Sequence, residues 1–197
     1  MLFKPFEPGI EVFGPGVQAF VEAFKLFPSV VLKRLVTHGI ATYQGKEILI
    51  DQTAWYPLEN WLAAFSAIAE SLGPRALFQI GQTAPSFVVL PPTLNDIHSG
   101  VAGVNVGYHM NHRKDGVPMF DPATGHMLTG IGDYGYAPVP GERRIISRCD
   151  TPYPCDFDRG IVLGFATKFE KGARIEHDDS APCRKNGHPS CTYLISW

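Results

Sequence analysis

The longest one-sided run of apolar positions lies at 57–72, where Leu58, Trp61, Leu62, Phe65, Ile68 and Leu72 recur at spacings of three and four. That period predicts an amphipathic helix over Pro57–Leu72. Pro57 suits a first helical turn, and Gly73-Pro74 ends it. A second helix, Arg75–Gln82, is expected to leave at an angle. Near the C-terminus Phe157, Ile161, Phe165 and Phe169 form another stripe, predicting a helix over Phe157–Glu170 laid on a sheet. Gly160 and Gly164 occupy an adjoining face, where a second backbone has room to come close. Earlier in the chain, helices are expected at Val17–Leu26 and Pro28–Thr37. A hairpin, Ile40–Tyr43 and Glu47–Asp51, is expected around Gln44-Gly45-Lys46. Leu94–Val106 reads as a helix weakened by Gly100, Gly103 and Gly107. Phe87–Pro92 is apolar but ends in two prolines and reads as a buried turn or a short extended piece. Strands are expected at Tyr108–Arg113, His126–Ile131, Tyr134–Val139, Arg143–Arg148, Ala173–His177 and Cys191–Trp197. The first four of these strands are separated by Gly, Pro and Asp turns, as in an antiparallel meander. Residues 51–197 would form the main domain, with 1–50 an arm and small helical and hairpin region packed on it.

Composition changes this picture little. The chain has 197 residues, 45% hydrophobic and 18% charged, enough for a core without disulfides. The net charge of −2 speaks against a nucleic-acid binder, which usually carries a basic excess. No apolar stretch is long enough for a membrane span. The N-terminal segment MLFKPFEPGIEVFGPG lacks the apolar region of a signal peptide, so a cytoplasmic, reducing setting is expected. No nucleotide-binding loop, dinucleotide fingerprint or serine-nucleophile elbow is present.

The chemistry gathers at the end of the chain. Its four cysteines are Cys149, Cys155, Cys183 and Cys191, and in a reducing compartment such clustering favours metal or thiol chemistry over a disulfide frame. Cys155 precedes the last predicted helix. Cys183 and Cys191 bracket a Lys-Asn-Gly-His-Pro turn. Thiolates from a helix start and a hairpin could converge on one tetrahedral ion, which suits zinc; buried free thiols are the alternative. His188, within the turn, is a further metal candidate. Asp156-Phe157-Asp158-Arg159 offers carboxylates whose simplest role is capping and dipole compensation at the helix start. In Tyr108-His109-Met110-Asn111-His112-Arg113, read as a strand, His109 and Asn111 share one face, and a pocket-facing His109 could hydrogen-bond a ligand. Trp61, Phe65 and Phe78 are expected on helices bordering an apolar cavity.

From Cys155 to Trp197 the order is a Cys, an aromatic helix bearing glycines, a strand, and two further Cys running into an aromatic strand. That order resembles the C-terminal half of the 4-vinyl reductase domain family, which includes the sensor domains of phenol-responsive transcription activators. The resemblance is weaker over 57–106. It implies the α+β fold shared with nitric-oxide-sensing haem domains and Golgi-transport tether subunits, a twisted antiparallel sheet covered by helices that enclose an apolar cavity. It implies binding of a small hydrophobic molecule, homodimerisation, and zinc held by Cys155, Cys183 and Cys191. The family places an acid at the position of Ser180; here Asp179 or His177 is the neighbour available, Cys149 is another candidate, and Asp179 is taken as the fourth ligand. With no DNA-binding or ATPase segment in view, a sensor of this kind would need a separate signalling partner. The expectation is a sensor or carrier module that binds without turnover. An enzyme or accessory protein acting on a tetrapyrrole or other apolar substrate is the alternative, and a tether subunit a third.

Overall fold

The computed structural model describes residues 2–24, 28–45 and 47–197. In chain order the elements are β1 (Ile10–Phe13), α1 (Gly14–Ala23), α2 (Pro28–Thr37), β2 (Thr42–Gln44), β3 (Glu47–Leu49), β4 (Trp55–Pro57), α3 (Leu58–Thr83), α4 (Ile97–Met110), β5 (His112–Lys114), β6 (Val117–Pro118), β7 (Ala137–Pro138), β8 (Arg144–Cys149), α5 (Cys155–Phe169), β9 (Arg174–His177) and β10 (Cys191–Ser196). A 3-10 turn, Ala84–Phe87, follows α3 directly. The fold class is α+β, as expected. Its strands form two four-stranded antiparallel sheets, ordered β4-β1-β5-β6 and β7-β8-β10-β9, plus the β2–β3 hairpin. An antiparallel meander over the first four expected strands, within a single sheet, was the expectation.

Helices α3 and α5 make the main packing contact. The two runs expected at 57–82 join into α3 across a break at Gly73, whose φ of 75° is left-handed and suits a residue without a side chain. Past the break, Gly81 meets α5 at Gly160, and Gln82 meets it at Gly164. A β-carbon at Gly160 would lie 2.2 Å from the Phe78 carbonyl oxygen, and one at Gly81 would lie 2.2 Å from the Phe157 carbonyl oxygen. Only glycines allow this approach. On β10 the alternation is regular, with Cys191, Tyr193 and Ile195 buried, as a sheet with one covered face requires.

Several expectations change. Tyr108–Arg113 is not a strand: α4 runs to Met110, and only His112–Lys114 joins a sheet. The helix starts at Ile97 instead of Leu94 because Asp96 and Ser99 form a reciprocal capping box, Asp96 Oδ1 accepting from the Ser99 N–H at 2.7 Å. His126–Ile131 carries only an isolated bridge, Met127 to Phe120. Phe87–Pro92 is not buried; Phe87 and Val88 are exposed, and Val89 is 96% exposed. The expected end of the first helix, at Leu26, and Lys46 of the hairpin lie outside the described residues. Residues 1–50 supply β1, which pairs with both β4 and β5, and α1.

Candidate ligand cavity and thiol cluster

An apolar cavity of about 110 Å3 lies among α1, α4, α5 and the 3-10 turn. Ala19 and Phe20 come from α1, Val104 and Tyr108 from α4, Ile161 and Phe165 from α5, Pro85 and Val88 from the turn, and Val12 and His112 from the first sheet. Tyr134 and Tyr153, on connecting segments, also line the cavity, as does Asn111, whose Nδ2 donates to the Gly107 carbonyl at 2.8 Å. Two of the three tyrosine hydroxyls donate away from it: Tyr108 to the Ile131 carbonyl at 2.7 Å and Tyr134 to Asp158 at 2.6 Å. The Tyr153 hydroxyl accepts from Trp61 Nε1 at 2.9 Å.

His112 differs from these. It is buried, and its Nδ1 lies 2.7 Å from the Tyr108 carbonyl oxygen. A carbonyl can only accept, so Nδ1 carries the proton. Nε2 is then a bare acceptor, and it has no hydrogen-bond partner. Burial, and to a lesser degree His109, holds the ring's pKa down at about 4, so the imidazole is neutral near pH 7.

Of the four residues expected at the ligand, none lines this cavity. Trp61 and Phe65 are fully buried one layer behind it. Trp61 packs on Phe20 at 5.7 Å, and Phe65 packs on Tyr153 at 5.6 Å. Phe78 is partly buried under the Arg159 guanidinium, 4.7 Å from its ring. His109 is buried on α4, its Nδ1 3.0 Å from the Asn105 carbonyl oxygen and its Nε2 3.8 Å from Asp133.

The second site gathers Cys155, at the start of α5, with Cys183 and Cys191. Their sulfurs lie within 4.8 Å of one another. Cys155 to Cys183 and Cys183 to Cys191 are each 3.8 Å, and Cys155 to Cys191 is 3.0 Å. All three are free thiols. The thiolate is favoured at Cys191, first by the Cys155 S–H and then by the Arg184 backbone N–H and guanidinium, while Cys155 is pushed up in return. Asp179 lies beside the cluster with its side chain 97% exposed, its Oδ1 3.0 Å from His177 Nδ1. His188 is exposed, and Cys149 is buried 3.5 Å from the Ser147 hydroxyl, outside the cluster.

The sequence reading missed Asp158 and Arg184. Asp158 does not cap α5, which has no side-chain cap. It is fully buried, 2.6 Å from Arg184 Nη2, and accepts from Thr151 and Tyr134. Burial pushes its carboxyl up while Arg184, Thr151 and Tyr134 pull it back. An acid beside the first phenylalanine of the α5 stripe and an Arg directly after Cys183 carried no signal that they would meet.

No protein-family model and no curated protein matches the chain. Solved structures do. An H-NOX protein from S. oneidensis in the Fe(II) ligation state superposes with a TM-score of 0.63 at 16% identity, covering 93% of this chain and 95% of its own. An oxygen-binding H-NOX domain related to soluble guanylate cyclases gives 0.61 at 13%, covering 93% of each. A structure concerned with modulation of haem redox potential through porphyrin distortion gives 0.62 at 14%, covering 94% of this chain and 99% of its own. The chain has the H-NOX fold. Among the described residues, no helix is long and apolar enough to cross a membrane.

Proposed function

We propose that the chain is a binding module for a small, mostly apolar molecule that carries one hydrogen-bond donor, such as a simple phenol. The observation that carries this reading is the buried, unpartnered Nε2 of His112, a residue of a mostly apolar wall. A buried acceptor without a partner costs about 1–3 kcal/mol, and a ligand hydroxyl would satisfy it. The size agrees: an engineered apolar cavity of roughly 150 Å3 takes benzene, and this one is about 110 Å3. Haem, present in the fold neighbours, does not fit. Pockets for drug-sized ligands run to about 300–1,000 Å3, and the space behind this wall is filled by Trp61, Phe65 and Phe157. The N-terminal fifty residues belong to the binding domain in this reading, because α1 supplies part of the wall. Calorimetry with phenol and benzene tests it. Phenol is expected to bind about tenfold more tightly, with the preference lost in His112→Phe and hemin giving no stoichiometric Soret band. Equal affinities in the wild type, or an unchanged preference in the variant, would reject it.

The likeness of Cys155–Trp197 to 4-vinyl reductase domains supports the finer reading. In it, the three sulfurs hold a structural zinc ion, and the chain works as a cytoplasmic homodimer with a separate signalling partner. Zinc–sulfur bonds of about 2.3 Å in a tetrahedron place sulfurs roughly 3.8 Å apart, the value of two of the three edges. The shorter Cys155–Cys191 edge, 3.0 Å, would open to admit such an ion as the thiol protons leave.

A further inference from the structure

Three thiolates leave a tetrahedral ion one position short. Asp179 presents a carboxylate to solvent instead of to the sulfurs. Ser180 is turned to Asp178, its hydroxyl 2.6 Å from that carboxylate. His177 stands otherwise. It ends β9 in register with Tyr193 of β10, and its ring packs edge-on against the Tyr193 ring at 5.5 Å. Its side chain is 17% exposed. It borders the same recess as Cys155 and Cys183. Its Nδ1 is held by Asp179, but its Nε2 is buried without a hydrogen-bond partner.

We propose that His177 Nε2, oriented by Asp179, is the fourth ligand of a divalent metal ion held by Cys155, Cys183 and Cys191. This rests on the reading of the thiol cluster as a metal site. Metal-ligating imidazoles usually give their other nitrogen to a carboxylate or carbonyl, which fixes the tautomer and raises basicity. Asp179 is placed for that role, with Nδ1–H donating to it and the Nε2 lone pair free. The Nε2 atom stands outside the 4.8 Å group that the sulfurs form, so metal entry draws the ring inward. Three thiolates and one neutral imidazole give the site a charge of −1 with a divalent ion. Two Arg184 groups already face the Cys191 sulfur, its backbone N–H at 3.3 Å and its Nε at 3.4 Å. A closed shell of three sulfurs and one imidazole nitrogen suits zinc and offers no open position for water.

Cobalt(II) titration of the reduced, metal-free full chain tests the assignment. The wild type is expected to give tetrahedral d–d bands with thiolate-to-metal charge transfer at one ion per chain. His177→Ala should lose affinity by more than Asp179→Ala, which should lose about tenfold. It should also shift the d–d bands, and added imidazole should restore them. Asp179→Ala should keep the wild-type spectrum. If His177→Ala retains spectrum and affinity, or if Asp179→Ala alone changes the bands, the assignment is overturned and Asp179 is the ligand. If the wild type takes up neither cobalt nor zinc, the metal reading of the thiol cluster falls as well.

Discussion

His109 and His112 are three positions apart in one short stretch, and their surroundings separate them. Read as a strand, the stretch favours His109. In the structure both imidazoles sit 2.7–3.0 Å from carbonyl oxygens one helical turn back, but only His112 lies on the cavity wall. Its burial has a thermodynamic consequence. The folded-state pKa of about 4 is below the ordinary 6.5, so between those values the unfolded chain binds more protons. Stability from keeping this ring neutral is therefore present above pH 6.5 and is lost as pH falls towards 4. The difference amounts to ~3 kcal/mol. Urea unfolding across this range should show the wild type losing that much more stability than His112→Gln. Parallel profiles would show that the ring is not desolvated. Loss of any bound metal at low pH affects both proteins alike and cancels in the comparison.

The α3–α5 crossing shows what is legible about an element. The stripes at 58–72 and 157–169 are the amphipathic faces that the spacing of apolar residues predicts, and Gly160 and Gly164 are where a close approach was expected. Their partner, the turn of α3 around Gly81, was not legible, because a glycine marks available space but not what fills it. Gly160→Ala should therefore destabilise the protein by roughly 1–3 kcal/mol through overpacking, against a helix-propensity gain of about 1 kcal/mol. Gly107 on α4 has nothing within 4 Å of where a β-carbon would lie, so Gly107→Ala should stabilise by up to about 1 kcal/mol. Thermal unfolding of the two variants checks the contrast, and similar shifts for both would contradict the packing argument. Short strands were the least legible elements. Six residues at 108–113 alternate as a strand does, yet the cap at Asp96–Ser99 and the packing of Gly100 on Phe169 carry the helix through the first three.

At the scale of the whole molecule, the Asp158–Arg184 pair joins the two sites. Arg184 reaches Cys191 on one side, and Asp158 takes the hydroxyl of cavity-lining Tyr134 on the other. Arg184 also donates to the Thr151 and Tyr153 carbonyls, fixing the loop that carries Tyr153. Removing one partner leaves the other as a buried, uncompensated charge, so Asp158→Ala and Arg184→Ala should each cost about 3–5 kcal/mol. The double variant should cost well under the sum. Additive losses in denaturant unfolding would show that the two groups are not coupled. The sequence by itself determined the main amphipathic helices, the last strand and the three cysteines, because each is written in local periodicity or in residue chemistry, and the order of its last forty residues carried the resemblance that implied the α+β class. Tertiary structure decided which histidine lies on the cavity wall, that Asp158 is buried against Arg184, and that His177 stands beside the thiols. Each of these depends on contacts between different elements; Asp158 and Arg184, for example, are 26 positions apart in the chain. No local pattern encodes the meeting of such distant side chains.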